Sequence, residues 1–244
     1  NYANRELAQR WNDDRIQLLD GVGYMVRVYT IAPSSIQVKQ NLEGMLAALA
    51  VQAEQNNSSA DRTAVDNAVR NTGNAFKSAV EDARVQATLS VIVDKVNSGS
   101  MSKDKALKEV YELYKKNPNN DRICQNLVTL CDMCIMEYVI ADKWGASSVK
   151  SILDSLNNNK SAAFNRHKGK LAQSYSNIWN QLDINNRMLL MGRSVPGRSL
   201  NEKGWALKAG LDYYKKLGDV RSSSSSRLSG LAGLGLFDDL DLPF

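Results

Sequence analysis

Apolar residues recur at three- and four-residue steps along nearly the whole of this chain, and no segment sustains the every-other-residue alternation that a half-buried strand requires. That periodicity decides the fold class. Residues 4–31 carry Leu7, Trp11, Ile16, Leu19 and Val26, with Gly21 and Gly23 expected to interrupt the helix, and Pro33 forbids its continuation. Ser34 or Ser35 is placed to cap the next helix, in which Val38, Leu42, Met45, Leu46 and Leu49 share a face. Residues 59–97 carry Val65, Val69, Phe76, Val80, Ala87 and Val91 on a further stripe, read as one long helix. The expected fold is therefore all-α, built of helical hairpins as a bundle or a short α-solenoid.

Punctuation organises the rest. Ser102 starts a helix holding Leu107, Val110, Tyr111 and Tyr114; Asn117-Pro118-Asn119-Asn120 ends it, and Asp121 is expected to cap the following helix. That following helix is apolar on opposite sides, through Leu127, Leu130 and Cys134 on one and Val128, Ile135 and Val139 on the other, which predicts a central position. Further helices are expected over residues 148–156, 161–182, 184–191 and 200–217. Beyond Asp219 five consecutive serines precede a stretch alternating leucine with Gly, Ser and Ala, a composition expected to form a flexible tether. The domain reading is an N-terminal helical unit at 1–97, a helical-hairpin unit at 102–219, and a linker with an acidic-aromatic tip at 220–244.

With 244 residues, 43% hydrophobic, the chain can bury a substantial core, and no run of eighteen uninterrupted apolar residues suggests a membrane span. The sequence opens on Asn1 rather than Met, as expected of a processed or recombinant product. Three cysteines clustered between 124 and 134 do not make a disulfide framework and favour a reducing, cytoplasmic setting or an assembly formed there. Net charge is +5 but unevenly spread. From residue 150 to 227 there are fourteen Lys and Arg against five Asp and Glu, whereas Asp238, Asp239 and Asp241 follow within a few residues of one another.

Residues suited to catalysis are sparse. His167 is the sole histidine and lies among Arg166, Lys168 and Lys170, a surface run rather than a catalytic setting. Cys131 and Cys134 have half of a zinc-site spacing, but no second pair completes four ligands, so they read as buried small hydrophobes. Residues 192–197 hold two glycines but lack the Gly-Lys-Ser/Thr ending of a nucleotide loop. The expectation is a non-enzymatic protein with no metal and no cofactor. A binding role has more support: Arg166, Lys168, Lys170, Arg187, Arg193, Arg198 and Lys203 are interleaved with Phe164, Tyr175, Trp179 and Trp205, a composition that could meet phosphates and bases. Against that stands the ordinary reading, in which Tyr175 and Trp179 at i and i+4 face a core and the cations solvate the outside.

Two resemblances sharpen the functional expectation. Residues 104–134, through Ala106, Leu107, Tyr111, Tyr114, the Pro118 turn, Asn126 and Leu127, resemble a tetratricopeptide-repeat junction, which implies stacked helix pairs with a groove for partner peptides. Asp238-Asp239-Leu240-Asp241-Leu242-Pro243-Phe244 resembles the acidic Pro-Phe tip of bacterial single-stranded-DNA-binding proteins. That likeness implies docking into an apolar, basic-rimmed pocket of another protein, with Asp238, Asp239, Asp241, Leu242, Pro243 and Phe244 as the contact residues. It stops at the tip, because this chain has no strand-like segments from which to build that family's β-barrel. The favoured expectation is a helical adaptor or scaffold. Nucleic-acid association through the basic 150–227 region, with the tip as competitor, and a subunit of a viral or other large assembly stay open as alternatives, as does a homo-oligomer.

Overall fold

The computed structural model describes residues 17–140 and 147–220, and there the protein is all-α. Among the described residues there is no strand, only an isolated bridge between Val195 and Arg198. Contacts divide the chain at Asn97 into two compact units.

The first unit contains α1 (Leu18–Ile31), α2 (Ile36–Gln55), α3 (Ser59–Asn71) and α4 (Lys77–Asn97). Gly21 and Gly23 do not break α1. Gly21 is buried within it, so the backbone freedom that suggested a break is outweighed by packing of the helix on α2. Ser35 caps α2 by accepting from the Val38 amide at 3.4 Å. Met25, Leu42, Leu46 and Leu49 are wholly enclosed, and Tyr29 meets Phe76 edge-on, ring centroids 5.3 Å apart. Glu54 takes two hydrogen bonds from Arg62, at 3.0 and 2.9 Å, tying the end of α2 to α3.

The single helix expected over 59–97 is two. At its end, α3 turns through Gly73, φ +64°, with Asn74 N–H donating to Val69 O and Gly73 N–H to Arg70 O, the paired bonds of a left-handed C-terminal cap. Thr72 adds a buried hydroxyl bond to Val69 O at 2.8 Å. The Asn71-Thr72-Gly73-Asn74 run supplies a residue free to take positive φ where the helix must stop, and the apolar stripe continuing across it concealed the break.

The second unit contains α5 (Lys103–Lys116), α6 (Asp121–Ile140), α7 (Ser147–Asn157), α8 (Ala162–His167), α9 (Gly169–Gln181), α10 (Ile184–Leu190) and α11 (Glu202–Leu217). Helix α6 is its axis, with α5, α8, α9 and α11 packed against it. By length and composition α6 could cross a membrane, which the sequence reading did not anticipate, yet half of it is buried inside this unit. Its N-cap is Asn120, whose Oδ1 accepts from the Ile123 amide at 3.1 Å, rather than Asp121. Asp121 occupies the first helical position instead, where its charge faces the positive end of the helix dipole. The 161–182 stretch divides at Lys168 into α8 and α9.

Polar ties lock the periphery to this axis. Tyr214 of α11 is fully buried and donates its hydroxyl to Asp132 O at 3.0 Å. Tyr114 donates to Asn159 at 2.7 Å, Ser161 to Pro118 O at 2.5 Å, and Tyr138 to Asp104. Each removes an orphan polar group from a largely apolar interior.

Leu46 has no solvent exposure. Leu46→Ala should therefore lower stability by about 2–5 kcal/mol, the usual cost of an enclosed leucine cavity, measured by urea unfolding followed by circular dichroism.

Candidate interaction cleft

The cations singled out in the sequence do not form one surface. Arg166 gives both Nε and Nη2 to Asp121 Oδ1, at 3.1 and 2.8 Å, and Lys168 reaches Asp219 at 3.3 Å. Lys170 donates to the Thr129 hydroxyl at 3.3 Å. Arg187 staples α10 to α9, donating to the carbonyls of Trp179 and Asn180 at 3.0 Å each, with its guanidinium 5.8 Å from the Trp179 ring centroid. Lys203, half-buried in the first turn of α11, is also engaged. Arg193 and Arg198 differ: both are exposed on the loop after α10, at whose tip Gly197 takes a φ of +70°.

The aromatic residues separate just as clearly. Phe164 is buried, packed near Tyr114, and Trp205 is 59% exposed. Tyr175 and Trp179 are neither core nor free surface. Their rings stack nearly parallel, 10° between planes and 5.8 Å between centroids, and they line one wall of a cleft of about 280 Å³. Leu190 and Met191 also line it, and α11 contributes Lys208, Leu211, Asp212 and Lys215. Lys208 donates to Leu190 O at 3.0 Å and lies 3.8 Å from Asp212, so its charge is largely committed. Lys215 is exposed and has no ion pair among the described residues. Burial first, and the Asp212 charge second, raise the Tyr175 phenol above its ordinary range, so the ring presents a neutral hydroxyl.

Sequence reasoning missed Lys208, Asp212 and Lys215. The readable signal was a spacing of three, four and three residues, Trp205, Lys208, Asp212, Lys215, which sets all four along one side of a helix. Mixed charge made that side resemble an ordinary solvated face.

Elsewhere, reactive groups are occupied or enclosed. His167 Nε2 lies 3.1 Å from Asp121 Oδ1, yet its direction makes no hydrogen bond. Arg166 is the stronger partner and the main reason the Asp121 carboxyl titrates below its usual range. Cys124, Cys131 and Cys134 are free and buried. Among the described residues no three His, Cys, Asp or Glu side chains gather as a metal site. The tip residues Asp238, Asp239, Asp241, Leu242, Pro243 and Phe244 lie outside the described residues. Comparison with protein-family models, with curated proteins and with solved structures returns no match to this chain.

The junction between the end of α11 and the start of α9 is fixed by a close backbone approach. A Cβ on Gly218 would stand 2.7 Å from the Ala172 amide nitrogen, so only glycine lets α11 end against α9. Gly218→Ala should cost about 1–3 kcal/mol through forced separation of the two helices, read as a lower urea midpoint at unchanged slope.

Burial, followed by the charges of Asp104 and Glu137, pushes the Cys134 thiol from 9.0 up to about 12, and Cys131 rises well above 9.0. A raised thiol stabilises the fold fully below pH 9 and loses that contribution as pH climbs toward 12. Native protein at pH 8 should therefore resist iodoacetamide at both positions and react fully once unfolded in urea, as mass spectrometry would record.

Proposed function

We propose that this protein is a non-enzymatic helical adaptor that engages a partner protein through its DDLDLPF segment. The observation that carries this reading is the segment itself: Asp238, Asp239 and Asp241 set beside Leu240, Leu242 and Phe244, beyond a serine- and glycine-rich connection. Such a peptide contributes two separable things to recognition. An aromatic ring brings a large buried area at few rotamers, and the neighbouring carboxylates accelerate encounter with a basic-rimmed pocket. The helical body then serves as the platform, with the α5 and α6 pair, whose sequence resembles a tetratricopeptide junction, available for a second partner.

A second reading is favoured by one observation, the exposed Trp205 on a helix that follows a loop bearing exposed Arg193 and Arg198. An aromatic platform beside unpaired cations is the arrangement that holds single-stranded nucleic acid. Its mark would be salt dependence, with the affinity slope falling by about one unit for each cation removed.

The discriminating experiment is affinity capture by the intact chain beside Phe244→Ala, both verified as helical. Loss of one specific partner from the variant, matched by its displacement from the wild-type bait when free peptide of residues 235–244 competes, supports the adaptor reading; a hot-spot aromatic removed from its pocket should weaken that complex roughly 30-fold. Identical captured sets would sink it.

A further inference from the structure

The cleft between α9 and α11 is small and open on one side. At about 280 Å³ it falls at the small end of ligand pockets. One wall is the stacked Tyr175 and Trp179 pair, and the charge left over is the cation of Lys215, since Lys208 is committed to Leu190 O and Asp212. An occupant should therefore combine an apolar or aromatic residue with adjacent negative charge.

The chain supplies that combination close by. Val220 N–H donates to Lys215 O at 2.9 Å, so the backbone leaves the described fold beside the cleft's rim. Lys208 lies seven residues and about 10 Å along the helix from Lys215. Residues 221–236 number sixteen and can extend to about 50 Å, several times the distance needed to bring residues 237–244 into the cleft. A serine- and glycine-rich connection of this length holds its end at an effective concentration on the order of millimolar. Even a weak site is then substantially filled from within the same molecule.

The geometry points to the cleft of Tyr175, Trp179, Lys208 and Lys215 as a docking site for residues 237–244 of the same chain, so that the free protein keeps its own tip covered. This goes beyond the partner reading, because it concerns the state before any partner arrives: a partner must compete with the cleft, and binding at either place lowers occupancy of the other.

Amide NMR spectra of the full chain would test it, comparing wild type with a full-length variant carrying Asp238→Asn, Asp239→Asn, Asp241→Asn and Phe244→Ala. The expected result is a set of shift differences confined to α9, α10 and the cleft side of α11. A synthetic peptide of residues 237–244 added to the variant should move those resonances back to their wild-type positions and saturate. Adding Lys215→Glu to the variant, a substitution at an exposed position, should weaken peptide binding about fivefold while leaving the remaining spectrum in place. Superimposable wild-type and variant spectra would overturn the proposal, as would a peptide that fails to bind. Wild-type shifts that vary with protein concentration would overturn it in favour of the tip of a second copy. An oligothymidylate that produces the shifts when the peptide does not would overturn it in favour of nucleic acid. A tip that captures a partner yet leaves the cleft resonances unmoved would sink this inference and spare the adaptor reading.

Discussion

Helix α6 carries an apolar arc too broad to leave in water, and the second unit is arranged to cover it. Leu127 and Ile135, about 80° apart around the helix, are both enclosed, and every fully buried leucine or isoleucine of this kind brings about 1.5–3 kcal/mol of transfer free energy. Four helices are therefore committed to one axis, α5, α8, α9 and α11. That commitment has a polar cost, because helices arriving from several directions carry hydroxyls and carbonyls into an apolar space. Tyr214, Tyr114 and Ser161 meet it by donating to Asp132 O, Asn159 and Pro118 O. The cleft is a by-product of the same geometry. With Tyr214 directed inward from α11, the Lys208, Asp212 and Lys215 side of that helix must face outward, alongside α9.

What was legible in the sequence follows from what periodicity can encode. The all-α class and the central place of α6 were readable because burial imposes a repeat on the residues themselves. Where helices stop is set by a few backbone dihedrals, and there the reading failed in both directions. Gly21 and Gly23 suggested a break that packing overrides, while Gly73 makes a break that a continuous apolar stripe hid. The difference is physical: glycine within a helix costs about 1 kcal/mol, which tertiary contacts outweigh, whereas a positive φ at a helix end is a conformation few other residues supply. Asn120 and Asp121 are a milder case, two neighbours of which either could cap, with the cap taken by the one whose Oδ1 reaches the Ile123 amide.

The functional surface was less legible, because charge counts do not say which charges are free. Fourteen cations over residues 150–227 suggested a broad basic face. In the fold, Arg166, Lys168 and Arg187 are directed at Asp121, Asp219 and two main-chain carbonyls, where they act as ties between elements. Such exposed pairs add little to stability and are screened by salt, yet each one consumes donors that a phosphate would need. Among the described residues the other exposed cations are scattered: Lys160 after α7, Arg193 and Arg198 on one loop, Lys215 at the cleft, and Lys216 over the Tyr213 ring.

That distinction bears on how the two ends of the second unit are related. Helix α11 does not simply stop; Asp219 takes a φ of +53°, Val220 N–H closes back on Lys215 O, and Lys168 holds the Asp219 carboxylate. A left-handed residue other than glycine at this position carries a backbone cost, and Lys168 holds its carboxylate at 3.3 Å. The consequence is a fixed point of departure for everything beyond residue 220, one helical turn from the single unpaired cation of the cleft. Direction at such a point matters more than affinity. With the exit held there, Val220 stands beside the Lys215 end of the cleft, and proximity of that kind is what would let an attached peptide outcompete a free one of equal affinity.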